Sequence, residues 1–119
     1  MTVRRIMPDF QVESEDAMKA SCRFYGLLGF QQAMDMGWIV TLASPANPTA
    51  QISFFTEERT APVVPDLSVE VEDVDAVYAQ VVASGAEVVR ELRDEEWGVR
   101  RFFVRDPNGR VVNVLTHRS

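Results

Sequence analysis

Two periods of apolar residues alternate along this chain. Short runs with a strand's period of two flank two stretches in which apolar residues return every three or four positions. Met7–Val12 is the first strand candidate, and it runs into the polar cluster Glu13-Ser14-Glu15-Asp16. Ser14 or Glu15-Asp16 supplies a helix cap there, with negative charge where exposed N–H groups favour it. Ala17, Met18, Ala20, Cys22, Phe24, Tyr25 and Leu28 then populate one broad helical face, weakened at Gly26 and stopped at Gly29. Strand candidates follow at Phe30–Met34, Trp38–Ala43 and Gln51–Phe55, with a Pro-, Ser- and Asn-rich loop at Ser44–Thr49.

Thr56–Pro65 has no periodicity and contains Pro62 and Pro65, so it reads as a connector. Beyond it the pattern starts again. Leu67–Val71 alternates as a strand, Asp73 caps a helix, and Val74, Val77, Tyr78, Val81 and Val82 keep the helical spacing as far as a stop at Gly85. Glu87–Leu92 is a strand candidate, and the acidic segment Arg93-Asp94-Glu95-Glu96 reads as a solvated loop, with the rim of a site for a cationic aromatic ligand, beside Trp97, as the sharper alternative. Arg101–Arg105 and Val111–Leu115 close the chain as a hairpin about Asp106-Pro107-Asn108-Gly109. Pro107 presets φ there, and Asn108 and Gly109 tolerate the positive φ of a tight return.

Pro8-Asp9-Phe10-Gln11-Val12-Glu13-Ser14-Glu15-Asp16 is echoed by Pro65-Asp66-Leu67-Ser68-Val69-Glu70-Val71-Glu72-Asp73, an offset of 57 residues. Each copy leads into a helix that ends in glycine and then into three strands. The expectation is an α+β fold of two βαβββ modules, about 6–58 and 64–117, within one domain. Either module alone leaves one sheet face uncovered, so the pair should pack or close into a single curved surface with a concave side that encloses small ligands.

Composition narrows the function. The chain has 119 residues, 46% hydrophobic and 25% charged, which is one folded domain with a sizeable core. A net charge of −6 argues against nucleic acid and weakly favours a neutral or cationic ligand. No apolar run approaches the ~20 residues of a membrane span, and the N-terminus lacks a signal peptide's apolar core, which points to the cytoplasm. The single cysteine, Cys22, cannot form an internal disulfide and reads as buried filler rather than a nucleophile. His117 is the only histidine, so one chain cannot build a multi-histidine metal centre.

Phe24-Tyr25-Gly26-Leu27-Leu28-Gly29-Phe30, Val71-Glu72-Asp73-Val74-Asp75 and the tail Trp97-Gly98 … Phe102 … Asp106-Pro107-Asn108-Gly109 together resemble the vicinal oxygen chelate superfamily, also called glyoxalase/bleomycin-resistance/dioxygenase. Gly37-Trp38-Ile39-Val40-Thr41-Leu42 with Ile52-Ser53-Phe54-Phe55 looks like its bleomycin-resistance branch. The resemblance implies a cup-shaped mixed sheet with the helices on its outer face, commonly in a homodimer. It also places the metal ligands of the metalloenzyme members at Asp9, Ser53, Asp66 and Asn113. These residues depart from the family's His, Gln and Glu set and suit zinc or iron(II) poorly.

Asp9 and Asp66 are internal equivalents, either a carboxylate pair for acid/base work or two turn-bonded strand entrances. Asn113 stands among valines, where its amide requires a partner, on a neighbouring strand or on a ligand. Trp38 and Trp97 are candidate stacking platforms, joined by Phe54 and Phe102, although only one of Phe102 and Phe103 can face the cup. Met34 and Met36 offer adaptable apolar surface. The expected function is metal-independent binding, without a cofactor, of a bulky aromatic compound, antibiotics included. The alternative is a metal-dependent lyase, epimerase or dioxygenase with an atypical ligand set. An accessory domain without pocket chemistry is a third possibility.

Overall fold

The computed structural model describes residues 2–118. The elements follow in the order β1 (Val3–Gln11), α1 (Glu15–Gly26), β2 (Gln31–Asp35), β3 (Ile39–Ala43), β4 (Gln51–Phe55), β5 (Leu67–Val71), α2 (Val74–Ala83), β6 (Val88–Asp94), β7 (Val99–Arg105) and β8 (Val111–His117). The class is α+β, with the βαβββ order twice over. Contacts divide the chain into two compact units. One is Met7–Val64; the other combines the N-terminal residues through Ile6 with those from Pro65 onward.

In the Met7–Val64 unit the strands lie in the order β2–β3–β4–β1. The first strand meets the last in parallel, with Asp9 opposite Ser53 and Gln11 opposite Phe55, and β2/β3 and β3/β4 are antiparallel. The other unit repeats this plan as β6–β7–β8–β5. There β5 and β8 are parallel, with Ser68 opposite Asn113, while β6/β7 and β7/β8 are antiparallel. Thus the 57-residue echo is a true structural repeat, since the same backbone pairing recurs in both copies.

Each helix covers one face of its own sheet. Under α1, Met18 packs with Val40, Leu42, Ile52 and Phe54, joined by Val12, Cys22, Tyr25 and Phe30. Under α2, Val71, Val74, Phe102, Val104 and Val114 form the equivalent cluster, with Val77, Tyr78 and Val81 from the helix. The caps are those the polar residues announce: Ser14 accepts from Ala17 N–H and Asp73 from Ala76 N–H.

Several details differ from the sequence pattern. The first strand starts at Val3 rather than Met7, because residues 3–6 belong with β5 in one unit, where Glu72 N–H bonds Thr2 O. Helix α1 ends at Gly26, which leaves Leu27 and Leu28 outside it at 84% and 64% exposure. In the final hairpin only Gly109 takes positive φ (89°). Asn108 does not, because Asp106 Oδ1 accepts both Asn108 N–H and Arg110 N–H and holds the turn from within. No helix among the described residues is long and apolar enough to cross a membrane.

Candidate functional site

The helix-free face of each unit carries the polar chemistry. In the Met7–Val64 unit, alternation sends Ile52 and Phe54 toward α1 and Ser53 and Phe55 to the other side. Asp9, 3% exposed, stands in register with Ser53, which is fully buried. Thr41 and Ser53 hydroxyls lie 2.7 Å apart, and Ser53 Oγ is also 3.1 Å from Met7 Sδ. One strand further along, Trp38 leaves the β2–β3 turn, and its ring centroid is 6.1 Å from that of Phe55. Asp35 Oδ1 bonds Gly37 N–H (Gly37 φ 85°), and Thr56 N–H bonds Trp38 O, which together fix the turn. Trp38, Met36, Gly37, Ser14, Glu15, Thr56 and Arg59 line an open cleft of about 410 Å³.

In the other unit, Val112 and Val114 point to α2, so Asn113 occupies the opposite face. Ser68 on β5 and Phe103 on β7 flank it in register, and its Nδ2 donates to Ser68 Oγ at 3.1 Å. Asn113 Oδ1 is buried and has no hydrogen-bond partner among the described residues. Further along the same face Arg101, 2% exposed, is held between two rings, 5.1 Å from the Trp97 centroid and 4.9 Å from that of Phe103. Glu95 Oε1 accepts from Arg90 Nη2 at 2.8 Å and from Arg101 Nε at 3.3 Å. Burial alone would raise the Glu95 carboxyl, but the hydrogen bonds and charges of Arg90 and Arg101 together bring it below its ordinary value. Beyond it, Glu70 joins Arg5 (3.0 Å) to His117 (2.9 Å).

This geometry places the expected residues and corrects some of the expectations. Phe54 and Phe102 are core residues rather than ligand contacts: Phe54 packs under α1 with its ring 5.3 Å from Tyr25, and Phe102 packs under α2, 4.9 Å from Tyr78. Phe103 is the member of that pair on the helix-free face. Glu95 is buried between two arginines rather than solvated, because β6 and β7 bring Arg90 and Arg101 to it. Asp66 Oδ2 accepts from Val111 N–H, the turn-bonded reading of that aspartate. Trp97 is 53% exposed, with the Arg101 guanidinium over its ring. Cys22 packs against the α1 core, and burial, followed by Asp35, raises its thiol above the usual range.

Ser68, Phe103, Arg101 and Phe55 went unassigned or weakly assigned in the sequence, yet the repeat contained a signal for one of them. Under the 57-residue offset, Ser68 opposite Asn113 corresponds to Gln11 opposite Phe55. The counterpart of Asn113 is therefore Phe55, not Ser53. A phenyl ring cannot ligate a metal, Asn113 is a neutral amide, and Asp66 is engaged by the backbone. Among the described residues no group of three or more His, Cys, Asp or Glu side chains is placed to hold an ion. These donors do not fit the imidazole-and-carboxylate site of the metalloenzymes.

Residues 15–114 match the family model for the Glyoxalase/Bleomycin resistance protein/Dioxygenase superfamily. No curated protein matches the sequence. Among solved structures, a hypothetical protein from Bacillus halodurans C-125 is similar over 100% of this chain and 97% of its own (14% identity, TM-score 0.74). A glyoxalase/bleomycin resistance protein/dioxygenase superfamily member from Vibrio splendidus 12B01 is similar over 97% and 99% (16%, 0.69). Streptomyces coelicolor methylmalonyl-CoA epimerase, in complex with 2-nitronate-propionyl-CoA, is similar over 99% and 100% (19%, 0.67). At these identities the likeness is one of fold.

Proposed function

The chain belongs to the glyoxalase/bleomycin resistance protein/dioxygenase superfamily, and from that premise we propose that it is a metal-independent small-molecule binding protein of the bleomycin-resistance type. Its ligand is a flat aromatic compound, neutral or cationic, and planar antibiotics belong to this class. The observation that carries the reading is the pair Phe55 and Asn113: a ring and a neutral amide hold equivalent places in the two modules. Trp38 supplies an aromatic wall to a cleft whose size is in the range of small-ligand sites. Met36, 56% exposed, adds apolar surface that adapts to different shapes. Binding is then the whole mechanism: stacking and apolar burial hold the ligand, and polar groups set its orientation. We propose further that the working form is a homodimer.

The test couples metal analysis to fluorescence. Purified protein dialysed against Mn²⁺, Fe²⁺ or Zn²⁺ is expected to retain well under one ion per chain. A panel of planar aromatic antibiotics is expected to quench tryptophan emission, with the change lost in Trp38→Ala and only weakened in Trp97→Ala, where Arg101 already covers the ring. One tightly held ion per chain, lost in Asp66→Ala, would turn the reading toward the metal-dependent lyases, epimerases and dioxygenases of the superfamily.

A further inference from the structure

We propose that Asn113 Oδ1 is a ligand-recognition group: it accepts a hydrogen bond from a neutral N–H or O–H on a planar ligand lying against the helix-free face of β8. The proposal rests on the binding reading above and names the chemistry of a ligand held by the unit that contains β8. Asn113 is 7% exposed in mid-strand, between the apolar positions Val111 and Leu115 on its own face. Its Nδ2 is held by Ser68 Oγ at 3.1 Å, which fixes the amide plane, while Oδ1 is buried without a partner among the described residues. A buried carbonyl left without a donor is destabilising, and a valine or leucine would fill this strand position at no such cost. An asparagine whose role was to tie β8 to β5 needs only the amide–hydroxyl bond already formed. The remaining acceptor is what structure alone leaves unexplained.

The surroundings choose the donor's class. An anionic group is repelled by the carbonyl oxygen. A metal ion needs several oxygen or nitrogen donors, whereas the side chains in register are the Ser68 hydroxyl and the Phe103 ring. Phe103 and Leu115, both buried on this face, make the surroundings of the carbonyl apolar and suit a flat apolar body. A lactam or an N–H heteroaromatic ring combines that body with one neutral donor.

The experiment uses ¹⁵N-labelled full-length protein and two probes that differ in a single group, 2-quinolone and N-methyl-2-quinolone. 2-Quinolone is expected to bind at least tenfold more tightly and to shift the Asn113 side-chain amide resonances. Asn113→Leu is expected to abolish that preference while keeping or raising Tm, and Asn113→Asp, which retains an acceptor, to preserve it. Equal affinity for the two probes overturns the inference and leaves aromatic binding standing, because the amide would then be presenting its N–H to the shared carbonyl. Failure of 2-quinolone, the probe that carries the donor, to move the Asn113 resonances overturns it as well. So does a large fall in Tm for Asn113→Leu, which would make the side chain a structural tie.

Discussion

Glu95 illustrates how far one side chain's environment departs from its sequence context. Flanked by Asp94 and Glu96, it has the composition of a solvated acidic loop, yet its residue is only 8% exposed. Arg90 and Arg101 reach it from β6 and β7, its N–H bonds Val99 O, and its C=O accepts from Arg118 Nη2. Two cations on one carboxylate favour the ionised form, so its folded-state pKa lies below the ordinary 4.5. The sign of the linkage follows: the stabilisation is present above the unfolded pKa and is lost as pH falls through the folded one. Glu95→Gln is therefore expected to cost on the order of 1–3 kcal/mol at neutral pH, where it leaves two buried guanidinium groups less well paired. The difference between variant and parent in urea unfolding should shrink as pH drops below about 4.5. A difference that does not change between pH 7 and pH 3 would assign the effect to packing instead.

The β7–β8 hairpin makes a parallel argument for elements. Its turn was readable from four residues, because Pro107 and Gly109 act locally, through their own φ preferences. Which residue takes positive φ was not readable, since it depends on Asp106 accepting two N–H groups at once. Gly109→Ala is expected to destabilise the protein by about 1–2 kcal/mol, the cost of placing a Cβ at positive φ. Asn108→Gly should bring no gain and a small loss, since Asn108 already sits at negative φ and glycine only adds freedom to the unfolded chain. Thermal unfolding of the two variants separates these outcomes. The same divide governs the remaining reading of the fold. Helices, caps and the 57-residue repeat are short-range patterns and were legible. The sheet face chosen by Phe102 or Phe103 was narrowed by alternation to one of two, and only packing against Tyr78 decides it. The counterpart of Asn113 needed the pairing register, a long-range quantity that became visible once Gln11 was seen opposite Phe55.

For the molecule as a whole, one face that folding leaves unexplained is the end of α1. Phe24, Leu27 and Leu28 are 56%, 84% and 64% exposed within five residues of one another. Scattered apolar residues on a surface need no explanation, but three large ones gathered at a single turn are the usual mark of an interface. The turn itself is firmly built: Leu27 N–H bonds Phe24 O, Leu28 N–H bonds Tyr25 O, and Gly29 takes a φ of 109°. Exposure there is thus a property of a fixed backbone rather than of a loose end. A net charge of −6 keeps separate chains apart at long range, so association across this turn must come from apolar contact and should tighten with added salt. If the proposed homodimer uses this surface, light scattering at tens of micromolar should return about 26.8 kDa, twice the 13.4 kDa chain. The double variant Leu27→Ser/Leu28→Ser should return the single-chain mass. Because neither leucine belongs to the α1 core cluster, the variant should keep the parent's circular dichroism. Its Tm should no longer rise with protein concentration, as the parent's does when folding is linked to association. A parent that scatters as one chain at every concentration excludes the dimer, and a variant that stays dimeric places the interface elsewhere on the molecule.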